Sequence, residues 1–152
     1  MFKECLDSVK ENSPLIHNIT NYVTVNDVAN AILAVGASPI MADEKKEAAE
    51  ITSICNGLNI NIGTLNRNTI RAMFTAGKKA QSLNHKILID PVGAGASTLR
   101  TKTALALISK IKFDVIRGNI SEIKTLATVS GKTKGVDANI EDAVSESNLE
   151  SA

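Results

Sequence analysis

Apolar residues along the chain alternate between two kinds of spacing. Between Thr24 and Gly36 they recur at the three- and four-residue intervals of one helix face, at Val25, Val28, Ala29, Ile32 and Leu33. This spacing predicts a helix, with Thr24 as its N-cap and Gly36 just beyond its end.

Along the rest of the chain, stretches with the spacing of strands alternate with stretches that have the spacing of helices. Short apolar or alternating stretches predict strands over residues 38–43, 58–63, 86–90 and 113–119. Amphipathic stretches predict helices over residues 44–57, 66–83, 101–111 and 121–127, and residues 141–152 resemble the start of another. Gly57 is predicted to close the first of these helices, and Asn66 to cap the second.

Strands and helices that alternate with short connections favour one architecture. Parallel strands need crossover connections, and right-handed helical crossovers cover both faces of a sheet. We therefore predict a single domain over residues 1–152, of the α/β class, with a doubly wound, mostly parallel sheet and helices on both faces.

Polar and glycine residues gather where the predicted strands end, in the stretches 17–24, 41–44, 61–66, 90–97 and 117–122. Ligands of open parallel sheets bind beyond the carboxyl ends of the strands. The sequence thus predicts a site at this one edge.

Asp90 ends a hydrophobic strand and is followed by Pro91, Gly93 and Gly95. Three interpretations stay open for this loop: an Asx-type turn, a phosphate-binding loop, or a Mg²⁺ site that faces a ligand. The loop lacks the Lys-Ser/Thr pair of a Walker motif and the GxGxxG spacing of a dinucleotide fold.

Arg117 lies at the end of the next predicted strand, and Glu122 lies just inside the helix that follows it. An arginine at a strand end suits a phosphate, whereas Glu122 near a helix start is also typical of a capping arrangement. Two acids and one guanidinium from adjacent strands would suit a metal–polyphosphate complex.

Composition narrows the function further. Seventeen basic and sixteen acidic residues give a net charge of +1, and the chain has one Tyr, three Phe and no Trp, which disfavours nucleic-acid binding. Cys5 and Cys55 form no metal motif, and no signal peptide or membrane span is evident, so we predict a reduced, cytoplasmic chain. His17 is predicted to be structural rather than a base, and His85 to lie on the surface.

Four segments resemble the hydroxyethylthiazole kinase family of thiamine biosynthesis, in the ribokinase-like superfamily. They read PLIHNITNYVTVNDVANAILAVGASPIMAD, INIGTL, ILIDPVGAGASTLRT and VIRGNISEI, and they stand in the family's order. The resemblance extends from Pro14 to about residue 137. It implies ATP- and Mg²⁺-dependent phosphorylation of the hydroxyl of 4-methyl-5-(2-hydroxyethyl)thiazole by a homotrimer whose thiazole sites lie between subunits.

The resemblance also implies roles for individual residues. Asn21, Val23, Met41 and Gly63 would bind the thiazole, and Arg117 would bind the ATP phosphates. Asp90 and Glu122 would hold the metal.

Family members are nearly twice as long as this chain. The resemblance therefore implies a truncated ribokinase-like fold, in which the family's catalytic cysteine and anion hole fall beyond residue 152 and no catalytic residue is assigned. We expect weak or no catalysis from these residues alone. The alternatives are a non-catalytic fragment, a binding subunit completed by another chain, or a generic flavodoxin-like domain, which the segment rich in Asn and Thr disfavours.

Overall fold

The computed structural model describes residues 2–128 of the chain. The helices are α1 (Phe2–Asn12), α2 (Val25–Ala34), α3 (Lys45–Ile54), α4 (Arg67–Ser82), α5 (Thr98–Lys110) and α6 (Ile120–Thr128). The strands are β1 (Leu15–Ile19), β2 (Ser38–Met41), β3 (Gly57–Asn61), β4 (Lys86–Asp90) and β5 (Val115–Ile116). The helix predicted over residues 141–152 lies outside the described residues.

The five strands form one sheet in the order β2-β1-β3-β4-β5, and every neighbouring pair is parallel. The chain moves outward from β1 to β2 and then returns past β1 to β3. The strand order therefore reverses between β1 and β3, and in open sheets such a switch point opens a crevice at the carboxyl ends. The predicted doubly wound α/β fold is confirmed.

The hydrophobic core lies on one face of the sheet. Ile60 of β3 and Ile89 of β4 are fully buried there, against Met73 and Ala76 of α4 and Leu107 of α5. Small residues on α4 allow close packing: a Cβ on Gly77 would come within 2.3 Å of Ile111 Cδ1. Together α3, α4 and α5 cover this face.

The opposite face is more open. A cavity of about 580 Å³ lies there, lined by Val28 and Ile32 of α2 and by alternate residues of the strands, among them Asn59 and Leu88. At the edge, Val115 is 49% exposed. Helices occur on both faces as predicted, but within residues 2–128 the second face is only partly covered.

Several predicted boundaries were wrong. Gly57 does not close α3 but begins β3, where it pairs with Ile16 and Lys86. β5 has two residues rather than the predicted seven. Thr24 stands at the N-cap position of α2 but makes no side-chain cap bond.

Other expectations were met or need adjustment. Asn66 caps α4 in a reciprocal capping box with Thr69, as predicted. Gly36 follows α2 with φ +95°, a left-handed conformation that suits glycine. His85, predicted to lie on the surface, is half-buried. Within residues 2–128, no helix is long and apolar enough to cross a membrane.

Candidate functional site at the carboxyl ends of the strands

Asp90, the last residue of β4, is 9% exposed. Its Oδ2 atom accepts from Asn61 Nδ2 at 3.0 Å and from Arg117 Nη1 at 2.8 Å. Burial raises the pKa of the Asp90 carboxyl above its ordinary value, and the nearby Arg117 guanidinium opposes that shift. Both described hydrogen bonds join side chains, so the Asx-type turn considered for this loop is not what holds the carboxylate.

The loop after Asp90 is held by Glu122. Glu122 Oε1 accepts the backbone N–H of Gly93 at 2.8 Å, and Oε2 accepts that of Asn119 at 2.9 Å. Asn119 Oδ1 in turn accepts the N–H of Glu122, which completes a reciprocal cap at the start of α6. The predicted capping role of Glu122 is therefore present, and the loop contact is added to it.

Gly93 is favoured chiefly by its backbone conformation. Its φ of +71° is strained for residues with a side chain, and an added Cβ would lie 2.3 Å from Arg100 Nη1. Arg100 crosses this point and donates from Nη2 to the carbonyl of Gly63 at 2.7 Å. Sequence reasoning missed Arg100, because an arginine in the first turn of a helix usually faces solvent.

Arg117 lies beyond β5 with its side chain 74% exposed. Its backbone N–H donates to the carbonyl of Ile89 at 2.9 Å, which fixes its position beside Asp90. A guanidinium held at one end and open to solvent elsewhere can still bind a phosphate with its remaining donors.

Asn21 organises the turn between β1 and α2. Its Oδ1 accepts the N–H groups of Val23 and Thr24 at 3.0 and 3.1 Å, and the Thr24 hydroxyl at 3.2 Å. Asn21, rather than Thr24, thus supplies the side-chain acceptor before α2. Its Nδ2 donates to Asn61 Oδ1 at 3.1 Å, across the switch point.

Two cavities meet at this edge, beside the cavity of about 580 Å³ on the open sheet face, which Asp90 and Arg117 also line. One, of about 550 Å³, is lined by Asn21, Val23, Gly63, Asp90 and Arg117, among others. A second, of about 330 Å³, is lined by Asp90 and Arg117 together with Glu122 and the Gly118–Asn119 backbone region. Six of the seven predicted site residues therefore line two cavities that share the same two charged side chains.

Met41 does not line either of these two cavities. It lines a separate cavity of about 160 Å³ with Thr20, Tyr22 and Asp43, on the other side of β1. Within one chain, the structure does not bring Met41 together with Asn21, Val23 and Gly63.

His17 is structural, as predicted. It is fully buried, with Nε2 2.8 Å from the carbonyl of Ala42 and Nδ1 2.9 Å from the hydroxyl of Thr52. Burial lowers the pKa of His17 below its ordinary value. A neutral ring donates from Nε2 to the Ala42 carbonyl and can accept at Nδ1. The single proton of the Thr52 hydroxyl serves either Nδ1 or the Ala48 carbonyl, which lies 2.7 Å away.

The carboxylates fit a hydrated magnesium ion. Among the described residues, the side-chain hydrogen bonds of Asp90 all go to Oδ2, and Asp90 and Glu122 line the same cavity. Each Glu122 oxygen accepts one backbone N–H and keeps a second lone pair. One or two carboxylates plus phosphate oxygens and water are the usual ligands of Mg²⁺.

Comparison with known proteins decides the family. A model described as the hydroxyethylthiazole kinase family matches residues 6–150. The chain belongs to the hydroxyethylthiazole kinase family. It is 63% identical over 150 residues to hydroxyethylthiazole kinase of Clostridium acetobutylicum, and 49% identical over 152 residues to that of Desulfovibrio desulfuricans.

A solved structure of a family member gives the same fold. The hydroxyethylthiazole kinase protein of Pyrococcus horikoshii matches with a TM-score of 0.78 and 46% sequence identity, over 81% of this chain and 48% of that one. The matches to the two bacterial kinases cover 99% and 100% of this chain but only 55% and 53% of the kinases themselves. The chain thus spans about half the length of the curated hydroxyethylthiazole kinases that it matches.

Proposed function

We propose that this chain carries the alcohol-binding and phosphate-facing part of a hydroxyethylthiazole kinase. In the reaction, the alcohol oxygen of 4-methyl-5-(2-hydroxyethyl)thiazole forms a bond to the γ-phosphorus of ATP. The bond from that phosphorus to the β–γ bridging oxygen breaks, and ADP and a proton are released.

The observation that carries the proposal is the sharing of Asp90 and Arg117 by two adjoining cavities. One is lined by Asn21, Val23 and Gly63, which suits a small, largely apolar alcohol. The other is lined by Glu122 and backbone groups, which suits phosphate and its counter-ion. Two reactants bound side by side in this way would meet at the shared charges, as phosphoryl transfer requires.

Each charged residue has a distinct task in this reaction. Arg117 binds phosphate oxygens with the donors that Asp90 leaves free. Asp90 and Glu122 would hold Mg²⁺, which would neutralise charge that develops during transfer. Glu122 also keeps the 91–97 loop in place through the Gly93 N–H, so the loop backbone stays clear of the phosphates.

The test is direct. The complete natural protein that contains these residues is incubated with ATP, Mg²⁺ and the thiazole alcohol, and the phosphate ester is quantified. We expect multiple turnovers from the complete protein and weak or no turnover from the 152-residue chain alone. Absence of the ester with the complete protein would refute the proposed function.

The position of Met41 favours a site completed by a second copy of the chain. Met41 lies apart from the other proposed thiazole ligands, and Tyr22 and Val23 beside the pocket are 61% and 88% exposed. In a homotrimer, Met41 of one subunit would complete the pocket of its neighbour. The alternative of a non-catalytic binding subunit is favoured by the partly open sheet face, and the same assay separates the two.

A further inference from the structure

Asn61, the last residue of β3, touches both halves of the proposed site. Its Oδ1 accepts the backbone N–H of Gly63 at 2.9 Å and the side chain of Asn21 at 3.1 Å. Its Nδ2 donates to Asp90 at 3.0 Å. Asn61 is only 9% exposed, so water competes little with these bonds. One amide therefore joins two residues of the alcohol pocket to the carboxylate on the phosphate side.

The contacts fix which way the amide points. A backbone N–H such as that of Gly63 can only donate, so it must face the oxygen of the Asn61 amide. An ionised carboxylate such as Asp90 can only accept, so it must face the nitrogen. A flipped amide would oppose donor to donor at one end and acceptor to acceptor at the other. Asparagine fits this place because it presents both groups at a short, rigid reach.

The sheet makes the arrangement stiff. β3 and β4 are in register so that Asn61 pairs directly with Asp90. Their side chains lie next to each other on the same face of the sheet, as the two-residue period of strands requires. Gly63 is equally constrained, because an added Cβ would lie 2.9 Å from Asn61 Oδ1 and 3.0 Å from Asn21 Cβ. The alcohol pocket cannot shift relative to Asp90 without breaking contacts of Asn61.

We propose that Asn61 is a positioning residue that sets the distance between the bound alcohol and the phosphate held at Asp90 and Arg117. The inference rests on the proposed function and names one more residue for it. In-line transfer needs the reacting atoms about 3–3.5 Å apart, and a misplacement of about 1 Å lowers the rate about 100-fold. Asn61 also lines the 550 Å³ cavity, but its described side-chain hydrogen bonds all go to protein groups, so it acts through these neighbours.

A purely structural role for Asn61 predicts something different, and the chain offers a matched control. Asn59 lies two residues earlier on the same strand and the same face, and its Nδ2 donates to Asn18 Oδ1 at 3.1 Å. Neither Asn59 nor Asn18 contacts the proposed site residues through this bond. The variant Asn59→Ala therefore reports what the loss of one asparagine side chain of β3 does to folding alone.

The experiment compares Asn61→Ala with Asn59→Ala in the complete natural protein. Turnover is measured against the thiazole alcohol and against MgATP, and hydrogen exchange is followed at the Gly63 N–H. We expect Asn61→Ala to lower kcat at least about tenfold and to raise KM for the alcohol, with KM for MgATP within about twofold of wild type. Exchange at Gly63 should accelerate in this variant, whereas Asn59→Ala should change none of these values.

A second variant keeps the test decisive if Asn61→Ala fails to fold. Asn61→Asp retains the acceptor for Gly63 and Asn21 but loses the donor to Asp90, so Gly63 should remain protected while kcat falls. Wild-type kcat in Asn61→Asp, or equal losses in Asn61→Ala and Asn59→Ala, would overturn the proposal.

Failure of the proposed function would look different. In that case wild-type protein makes no phosphate ester, and the positioning role is judged by exchange at Gly63 alone. Faster exchange in Asn61→Ala but not in Asn59→Ala supports it, and equal rates reject it.

Discussion

Arg117 donates to Asp90 at 2.8 Å and joins the end of β5 to the end of β4. The two side chains differ in exposure: that of Arg117 is 74% exposed and that of Asp90 only 12%. An ion pair with one largely exposed partner contributes only modestly to stability. The pair matters for function because it holds the Arg117 guanidinium in position while leaving it accessible to an incoming anion.

Changing either partner should therefore affect catalysis more than folding. Asp90→Asn and Arg117→Ala are each expected to lower turnover of the complete protein by about 100-fold or more, because each removes a charge that faces the transferred phosphate. Thermal unfolding should change little. Lys86→Ala, which breaks the exposed ion pair with Asp114 at the opposite end of the same strands, serves as the control. Wild-type turnover in either site variant would remove that residue from the mechanism.

Gly63→Ala should selectively weaken binding of the alcohol. The added Cβ would lie 2.9 Å from Asn61 Oδ1 and 3.0 Å from Asn21 Cβ, so one wall of the pocket must move. We expect a clear rise in KM for the thiazole alcohol, measured by steady-state kinetics. Gly57→Ala is the matched change at the start of β3, where the Cβ would make ordinary contacts at 3.4 Å, and its KM should stay at the wild-type value.

Much of the site edge could be predicted because parallel strands all end at the same side of a sheet. Asp90, Arg117 and Glu122 follow neighbouring strands, so topology alone brings them together. The role of Asn61 could not be predicted, because it depends on the register that pairs Asn61 with Asp90. A shift of one residue would have turned the Asn61 side chain to the opposite face.

The fold was predicted less completely at its margins. Helix α1 was missed, although Phe2, Cys5, Leu6 and Val9 have helical spacing, and none of its residues is buried in the structure. Gly57 was mistaken for a helix end because glycine serves turns and strands alike. The short β5 reflects an edge strand with one partner among the described residues.

Glu122→Gln should destabilise the protein. Both carboxylate oxygens accept backbone N–H groups, and the side chain is nearly buried. A glutamine has a single oxygen, so one N–H loses its acceptor and faces an NH₂ group instead. The free energy of unfolding, measured with urea, should fall by about 1–3 kcal/mol. Glu50→Gln, at an exposed position on α3, should leave it unchanged, and an unchanged value for Glu122→Gln would contradict the double contact.

His17 should make stability depend on pH in a defined direction. Burial lowers the pKa of His17, opposed by the Ala42 carbonyl and the charge of Glu47, so the unfolded chain binds the proton more readily. The contribution is therefore complete above the ordinary pKa of 6.5 and is lost as the pH falls below it toward the folded-state pKa. The slope is at most about 1.4 kcal/mol per pH unit.

The free energy of unfolding is measured with urea at pH values from about 5 to about 8, the range in which histidine usually titrates. Wild type should lose stability toward the acidic end more steeply than His17→Gln does. Parallel curves for wild type and His17→Gln would show that His17 is not held neutral.

A trimer should be visible in solution. Light scattering is expected to give three times the mass of one chain for the complete protein, because Tyr22 and Val23 would be covered at the subunit boundary. Val23→Asp should shift the mass toward the monomer and abolish binding of the alcohol. Leu33→Asp, an exposed apolar position on α2 outside the proposed pocket, is the comparison. A stable monomer that binds the alcohol would exclude a pocket shared between subunits.

Through its two backbone contacts, Glu122 couples fraying at the start of α6 to movement of the loop that borders the site. When the first turn of α6 frays, the carboxylate that caps Asn119 also leaves Gly93, and the loop beyond Asp90 keeps only its contact from the Gly95 N–H to Thr101 Oγ1 among these side-chain contacts. The Gly93 end of the loop is therefore coupled to the beginning of that helix. Any ligand that immobilises the loop must also suppress fraying of α6, so binding at the cavity would be felt along the helix as added local stability.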